Sequence, residues 1–288
     1  MNFLLRKEFE NSPKITKPDF STLSGREMLA VYLYSKFKQI LEYDRKSESP
    51  IFQRIHSTFV PRFTKRLIHN PEKRILIGIS GESASGKTTI CNTIKQVTET
   101  LNMPVEIMSA DNYFRDISAL IKQHGSFDNL LASGYDVDSP NNFNMEQLYT
   151  DLEMLSNGDD VRIPEYLVNG TGVVVPNAIP KQSKKIIVVE GMATLYGKVK
   201  DLLDVRVYVD IDPDIQEKWF IYRAQASRNQ NEENARKQLA YVREVSKKYI
   251  LPKKDDSDII INGAASLDYF SEIIRYIYSI TNNYSSGI

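Results

Sequence analysis

The chain contains 288 residues, of which 41% are hydrophobic and 26% charged, enough apolar material for the core of one large globular domain. Its 37 Lys and Arg residues balance 37 Asp and Glu residues, so net charge gives no reason to expect nucleic acid or an anionic membrane as a partner. No apolar run approaches the roughly 20 residues of a membrane span. The single cysteine, Cys91, excludes an internal disulfide, and together these features favour a cytoplasmic protein.

The first part of the chain, residues 1–70, is predicted to be an N-terminal helical extension. Apolar residues recur at helical spacing from about residue 23 to residue 45, and Ser24 with Glu27 three residues later is typical of an N-terminal capping box. A second apolar-rich stretch follows, and it ends at an Asn-Pro boundary before residue 72. We expect this extension to cap the core or to form a dimer contact, with an interaction arm as the alternative.

The rest of the chain, residues 71–288, alternates strand patterns with helical patterns. Five short apolar runs have the composition of buried parallel strands, namely residues 75–80, 105–109, 185–190, 205–210 and 258–261. Helical patterns end near residue 101 and cover residues 144–156, 212–227, 232–249 and 266–281. This alternation predicts an α/β domain with a parallel sheet flanked by helices. Two β-prone pieces, residues 161–163 and 173–175, predict a small hairpin beside that sheet.

One motif in the chain has a specific chemical meaning. The segment from Gly81 to Thr88 fits G-x-x-x-x-G-K-[ST] at every fixed position, with a strand before it and a helix after it. The glycines permit a backbone that wraps phosphate with its N–H groups, Lys87 supplies a catalytic cation for the β- and γ-phosphates, and Thr88 a hydroxyl for Mg²⁺. The fold class is therefore predicted to be the P-loop NTPase type. Nucleotide binding is predicted for Gly81, Glu82, Ser83, Ala84, Ser85, Gly86, Lys87, Thr88 and Thr89.

Residues at the carboxyl ends of the other strands indicate a kinase. The N-K-x-D and D-x-x-G motifs of switch GTPases are absent, which argues against a regulatory GTPase and leaves ATP and GTP open as donors. A hydroxyl kinase needs a base, help for the metal and cations over the transferred phosphate. Asp111 follows the second strand and Glu190 ends the third, while Arg223 and Arg228 lie in the helix after the fourth. Strand ends of this kind are where open parallel sheets bind ligands.

In this order, these segments resemble the uridine kinase / phosphoribulokinase / pantothenate kinase group of P-loop kinases, and uridine kinases most. The resemblance covers about residues 75–276. Besides the phosphate loop, the segments similar to that group are D-N-Y-F from Asp111, Y-D-V-D-S-P from Tyr135, I-P-E-Y from Ile163, V-V-E-G from Val188, V-D at Val209 and L-P at Leu251 with S-D-I-I-I from Ser257.

The resemblance implies roles for particular residues in phosphoryl transfer. Asp111 would be the base or orienter for the acceptor hydroxyl, and Thr88 with Glu190 would hold Mg²⁺. Arg223 and Arg228 would be lid cations. The implied partners are a nucleoside triphosphate (ATP or GTP) and a small-molecule acceptor, with no nucleic acid and no membrane, and a homo-oligomer is an open possibility.

The residues implied for the acceptor pocket match uridine kinases in part and differ from them in part. Asp138 would bind sugar hydroxyls of a nucleoside, and Tyr113 and Tyr166 would line the pocket. Uridine kinases follow I-P-x-Y with an Asp-Phe pair and then a His and an Arg that serve the pyrimidine, and here the Asp, the His and the Arg are absent after Tyr166. The aromatic-rich helix around Trp219 is similar to pantothenate kinases. A nucleoside is therefore the first hypothesis, with pantothenate, a sugar phosphate or another acceptor, or an inactive nucleotide-binding protein, as alternatives.

Overall fold

A computed structural model of the protein describes residues 22–70, 73–228 and 230–275. Its centre is a six-stranded sheet with the strand order β1-β8-β7-β2-β6-β3. The strands within these ranges are β1 (Phe52–Ile55), β2 (Ile75–Gly81), β3 (Val105–Ser109), β4 (Val161–Tyr166), β5 (Val174–Lys181), β6 (Ile186–Glu190), β7 (Val205–Asp210) and β8 (Ile259–Asn262). All five predicted strands of the main sheet are confirmed, within one residue at each end.

Helices connect and cover these strands. In chain order they are α1 (Leu23–Asp44), α2 (Phe59–His69), α3 (Lys87–Thr100), α4 (Ser118–His124), α5 (Phe127–Ala132), α6 (Met145–Asn157), α7 (Gly197–Leu202), α8 (Pro213–Arg228), α9 (Glu232–Tyr249) and α10 (267–275). Each predicted helix is confirmed where the structure describes it, and the end of the one predicted for 266–281 lies outside the described residues.

The sheet is parallel except at one edge. β2 pairs in parallel with β6 and β7, β3 pairs with β6, and β7 pairs with β8, while β1 runs antiparallel to β8. β2 and β6 are neighbours, and the chain leaves β2 for β3 on one side of this pair but leaves β6 for β7 on the other side. Ligands bind at such a switch point in open α/β sheets, at the carboxyl ends of the strands. The topology therefore predicts a ligand site at the carboxyl end of β2.

Apolar cores lie on both faces of the sheet, which explains the continuous apolar runs of its strands. One core joins the face carrying Leu76, Met108 and Ile187 to helix α6, through Leu148 and Leu152. The other core joins the opposite face to α1, α2, α3 and α10, and its buried members are Ile40, Ile51, Phe59, Ile79, Ile90, Cys91, Val188, Val205, Val207, Val209, Ile259, Ile261, Tyr269 and Ile273. The P-loop strand is thus held from both sides.

The N-terminal extension differs from the prediction in two respects. Its first helix is capped by Thr22, whose side chain accepts a hydrogen bond from the Gly25 N–H at 3.0 Å, so the expected capping box of Ser24 with Glu27 is wrong. The extension also contains β1, which completes the main sheet, so it is not purely helical. Strand pairing with β8 depends on a segment about 200 residues away, which local periodicity does not reveal.

The predicted hairpin is confirmed as a separate two-stranded sheet formed by β4 and β5. It packs beside the short 3₁₀ turn Ala110–Tyr113 that follows β3. Within the part of the chain that the structure describes, no helix combines the length and the apolar character needed to cross a bilayer.

Candidate active site

The loop between β2 and α3 has the backbone that the motif predicts. Gly81 has φ 148° and Gly86 has φ 95°, both in the region that side chains disfavour. A Cβ atom on Gly81 would overlap the carbonyl oxygen of Val209 on the neighbouring strand. Gly86 is the N-cap of α3 and offers no side chain to the helix, so the first N–H groups of α3 face the cleft. This is the arrangement in which a helix end receives phosphate.

Lys87 lies at the centre of the loop. Its Nζ donates hydrogen bonds to the carbonyl oxygens of Gly81 at 2.8 Å and Glu82 at 2.7 Å. Burial lowers the pKa of Lys87, the charges of Glu190 and Asp111 raise it, and Arg223 lowers it. These two hydrogen bonds hold the Lys87 ammonium beside the loop, where the oxygens of a bound phosphate can replace the two carbonyl oxygens as its acceptors.

A cleft of about 560 Å³ opens at this loop, on the carboxyl edge of the sheet. It is lined at one end by the phosphate loop and at the other by a largely apolar set of side chains. The lining residues beyond the loop are Asp111, Phe114, Phe127, Leu131, Val137, Asp138, Glu190, Met192, Trp219, Phe220, Arg223, Gln238, Tyr241, Val242, Val245 and Ile250. The structure therefore brings Asp111, Asp138, Glu190 and Arg223 into one cleft with Lys87, from five separate segments of the chain.

Two carboxylates face Lys87 from adjacent strand ends. Asp111 follows β3 in a 3₁₀ turn and Glu190 is the last residue of β6, and these strands are neighbours. Desolvation raises the pKa of Asp111 while the charge of Lys87 lowers it. Desolvation and then the charge of Asp111 raise the pKa of Glu190, which Lys87 and a hydrogen bond from Ser109 oppose. Gly191 makes room for this arrangement, since a Cβ there would lie 3.0 Å from Asp111 Oδ1.

Of the two predicted lid arginines, the structure describes the side chain of Arg223 but not that of Arg228. Arg223, on α8, donates from Nη2 to the Ser83 hydroxyl at 2.9 Å, so its guanidinium already lies against the phosphate loop. Its guanidinium also lies 5.7 Å from the centre of the Phe220 ring. Arg228 is the last residue of α8, and its side chain lies outside what the structure describes.

Asp138 lines the cleft, whereas Tyr166, which was expected to line the acceptor pocket, lies near Asp138 but is not among the side chains that line the cleft. Burial, then the charges of Asp111 and Asp136, raise the pKa of Asp138 to about 6. The Tyr166 ring packs on Phe114 with ring centres 5.2 Å apart, and burial followed by the charge of Asp138 raises its pKa. The Asp138 carboxylate is therefore a strong hydrogen-bond acceptor in a partly dry environment.

The prediction that Tyr113 lines the acceptor pocket is wrong. Its side chain is fully buried, and its hydroxyl donates to Asp151 Oδ2 on α6 at 2.7 Å. A 3₁₀ turn has three residues per turn, so the side chains of Asp111 and Tyr113 leave it in different directions. Asp111 points to the cleft and Tyr113 into the core, where it does not line the acceptor pocket.

Three residues that support the loop were not predicted. Gln216 is 2% exposed, and its Nε2 donates to the Ser83 carbonyl at 3.1 Å. Trp219 and Gly263 both pack closely against Gly86. A Cβ atom on Gly86 would lie 3.4 Å from the indole and 3.0 Å from the Gly263 carbonyl oxygen. Only Gly263 carried a sequence signal, as a glycine directly after a strand at the carboxyl edge. Gln216 looked like any polar helix residue.

The residues at the loop fit a bound nucleotide and Mg²⁺. Within the described ranges no three His, Cys, Asp or Glu side chains converge as a metal site made by protein alone. Mg²⁺ is ordinarily held by one or two protein oxygens together with substrate phosphates and water. Thr88 is exposed to the cleft in the first turn of α3, and Glu190 faces the same space from β6. This donor set matches such a site.

Comparison with known proteins agrees with this geometry. The sequence model of the phosphoribulokinase / uridine kinase family matches residues 76–268. The chain belongs to this family. A uridine kinase from Staphylococcus carnosus (strain TM300) is 34% identical over 212 residues, which are 72% of this chain and 97% of that protein. A uridine kinase from Staphylococcus aureus (strain JH9) is 34% identical over 194 residues, covering 66% of this chain and 88% of that protein.

The fold is also found among solved structures. A crystal structure from Silicibacter sp. TM1040, of a kinase provisionally assigned to a fructose transport system, aligns with a TM-score of 0.50 at 18% identity. The alignment covers 69% of this chain and 95% of that one. Membership in the family identifies the chain as a P-loop kinase, a transferase that takes a nucleotide and a small-molecule substrate.

Proposed function

We propose that this kinase transfers the γ-phosphoryl group of ATP or GTP, with Mg²⁺, to a hydroxyl of an uncharged small metabolite, a nucleoside. The observation that carries the proposal is the distribution of charge along the cleft. Of the described lining residues, Lys87 and Arg223 are the cations, and both contact the phosphate loop. Asp111 and Glu190 lie close to Lys87, and Asp138 adds a further negative charge in the same cleft, near Asp111.

An anionic acceptor would meet like charge in this cleft. The pKa of Asp138 is raised by burial and by the negative charges of Asp111 and Asp136, and no cation opposes this shift. This carboxylate therefore disfavours a bound carboxylate or phosphate, and the penalty grows as water leaves the site. Pantothenate and sugar phosphates both carry such a group. A nucleoside carries none and has ribose hydroxyls that can donate to Asp138. The charge pattern thus supports a nucleoside over the anionic alternatives, and the curated uridine kinases support the same choice.

In the proposed reaction the acceptor hydroxyl lies between Asp111 and the γ-phosphate. The Asp111 carboxylate accepts the hydroxyl proton, and its raised pKa makes it a better base at neutral pH than an ordinary aspartate. The hydroxyl oxygen forms the new bond to the γ-phosphorus, and the bond to the β–γ bridging oxygen breaks. Lys87 and Arg223 stabilise the charge on the transferred group. Thr88 and Glu190 would hold Mg²⁺, which when bound neutralises phosphate charge.

The acceptor end recognises the nucleobase differently from a uridine kinase in this proposal. The segment after Tyr166 turns back within the β4–β5 hairpin, where the Leu167 N–H donates to Val173 at 3.0 Å. The side chains that face the cleft near Asp138 include Phe114, Phe127 and Leu131, which offer apolar surface rather than polar edges. We therefore expect broad tolerance of the base and reliance on the ribose for affinity.

The test is a panel of acceptors with the purified full chain. The protein is incubated with Mg²⁺, either ATP or GTP, and one acceptor at a time, and both released nucleoside diphosphate and phosphorylated product are measured. The panel contains pyrimidine and purine nucleosides and a matched pair that differs in charge, pantothenate and its alcohol panthenol. We expect turnover with a nucleoside, and more with panthenol than with pantothenate.

Two variants separate the outcomes. Lys87→Ala should abolish turnover with every acceptor, and Asp111→Asn should reduce turnover while Mg-ATP still binds. Phosphorylation of pantothenate or a sugar phosphate in preference to every nucleoside would show that the charge argument is wrong. Donor binding without turnover on any acceptor would contradict the assignment of Asp111 as base.

A further inference from the structure

A buried carboxylate in the N-terminal extension has no part in the proposed reaction. Asp44, the last residue of α1, is 0% exposed. Its Oδ1 accepts a hydrogen bond from the Ile51 N–H at 2.9 Å and its Oδ2 accepts one from the Phe52 N–H at 2.8 Å. A buried charge is costly unless hydrogen bonds satisfy it, so both oxygens strongly favour this backbone geometry. Asp44 thereby fixes the point at which the chain enters β1.

The entry to β1 is bonded to the end of β8. The Ile51 carbonyl accepts a hydrogen bond from the Asn262 N–H at 2.7 Å, and Phe52 pairs with Ile261 in the sheet. The Ile51 side chain is 1% exposed and belongs to the same apolar core as Ile79, in the strand that leads into the phosphate loop. Asn262 is therefore held from the side of the extension.

The residue after Asn262 lies against the phosphate loop. The Gly263 N–H donates to the backbone carbonyl oxygen of Asp210, at the end of β7, at 2.7 Å. A Cβ atom on Gly263 would overlap the Ser85 carbonyl oxygen, and a Cβ on Gly86 would lie 3.0 Å from the Gly263 carbonyl. The backbones of residues 263 and 85–86 are thus in van der Waals contact. A shift of Asn262 would move this contact and with it the N-terminus of α3.

We propose that Asp44 is a positioning residue for nucleotide binding, which acts through the start of β1, Asn262 and Gly263 on the loop residues Ser85 and Gly86. The inference rests on the proposed function only in that the loop binds a nucleotide. This proposal gives the N-terminal extension a specific role in the enzyme, because the extension contacts the strand end that packs against the phosphate loop. Asp44 touches neither nucleotide nor acceptor in this arrangement.

The test uses Asp44→Asn. An amide can offer one acceptor oxygen, and it places an N–H donor against the other backbone N–H, so the entry to β1 loses one hydrogen bond and gains a donor–donor contact. We expect the dissociation constant of Mg-ATP to rise about tenfold. We expect kcat and the KM of the acceptor to change by less than about threefold, because Asp111 and Asp138 are held by other elements.

Asp204→Asn is the matched control. Asp204 also holds two donors, Arg66 Nε at 2.6 Å and the Leu76 N–H at 2.9 Å, but at the opposite end of β2 from the phosphate loop. Donor binding is measured by the fluorescence of Trp219, the single tryptophan of the chain, which lies near Gly86. Melting temperatures are measured for both variants. The control should lose stability and retain donor affinity.

The outcomes separate a positioning role from a purely structural one. Weaker Mg-ATP binding in Asp44→Asn alone supports the proposal, whereas equal donor affinity in Asp44→Asn and wild type, or equal weakening in Asp204→Asn, overturns it. If Asp44→Asn does not fold, Asp44→Glu, which keeps both oxygens but moves them by one methylene, is judged by the same criteria. Wild-type protein that binds Mg-ATP but phosphorylates no nucleoside would refute only the proposed acceptor. A wild type that binds no nucleotide would refute both proposals.

Discussion

The buried carboxylate of Asp138, which we expect to bind the acceptor, lowers the stability of the fold at neutral pH. Burial and the neighbouring charges of Asp111 and Asp136 raise its pKa from 3.8 to about 6. The folded state therefore holds the proton more tightly than the unfolded state, and stability falls as pH rises from near 4 to above 6. At neutral pH the charged carboxylate costs the fold free energy in full.

The magnitude follows from the shift. One pKa unit corresponds to about 1.36 kcal/mol, so a shift of about two units sets an upper value of about 3 kcal/mol. Partial access of Asp138 to solvent reduces this to about 1–2 kcal/mol. Asp138→Asn removes the charge at nearly constant volume. It should raise the melting temperature by roughly 2 to 8 °C at about pH 7.5, and most of the gain should disappear at about pH 4.

The assay is thermal unfolding at both pH values, with Asp159→Asn, an exposed carboxylate after α6, as control. The same Asp138→Asn protein should show a raised KM for the acceptor, because an amide is a weaker acceptor for hydroxyl protons. An unchanged melting temperature at neutral pH, or a gain of the same size at both pH values, would refute the electrostatic reasoning.

Further predictions concern the cleft and its supports. Asp111→Asn should lower kcat by about 10²-fold with Mg-ATP affinity retained, measured by steady-state kinetics and donor titration. Lys87→Ala should leave no measurable turnover, and wild-type rates in that variant would contradict the loop assignment. Gly263→Ala should weaken Mg-ATP binding at least tenfold, since its methyl group would displace the Ser85 carbonyl. Tyr113→Phe should leave the acceptor KM unchanged and cost about 1–2 kcal/mol in denaturant unfolding, because it strands Asp151 in the core.

Much of the fold and the donor site could be predicted from the sequence. The phosphate loop is a contiguous motif whose glycines, lysine and threonine act within eight residues, so their spacing along the chain is also their spacing in space. Strands and helices follow from apolar periodicity, which is likewise local. Strand ends in a parallel sheet meet at one edge, and this is why Asp111 and Glu190 could be placed beside the loop.

Only the tertiary structure decided which side chains face the cleft and what stands behind the loop. Tyr113 and Asp111 lie two residues apart in one motif, yet Tyr113 is buried against Asp151 and Asp111 lines the cleft. Gln216 and Gly263 support the loop from more than 130 residues away in the chain. Burial and backbone contact of this kind depend on which distant segments pack together, and the spacing of residues along one segment carries no information about that choice.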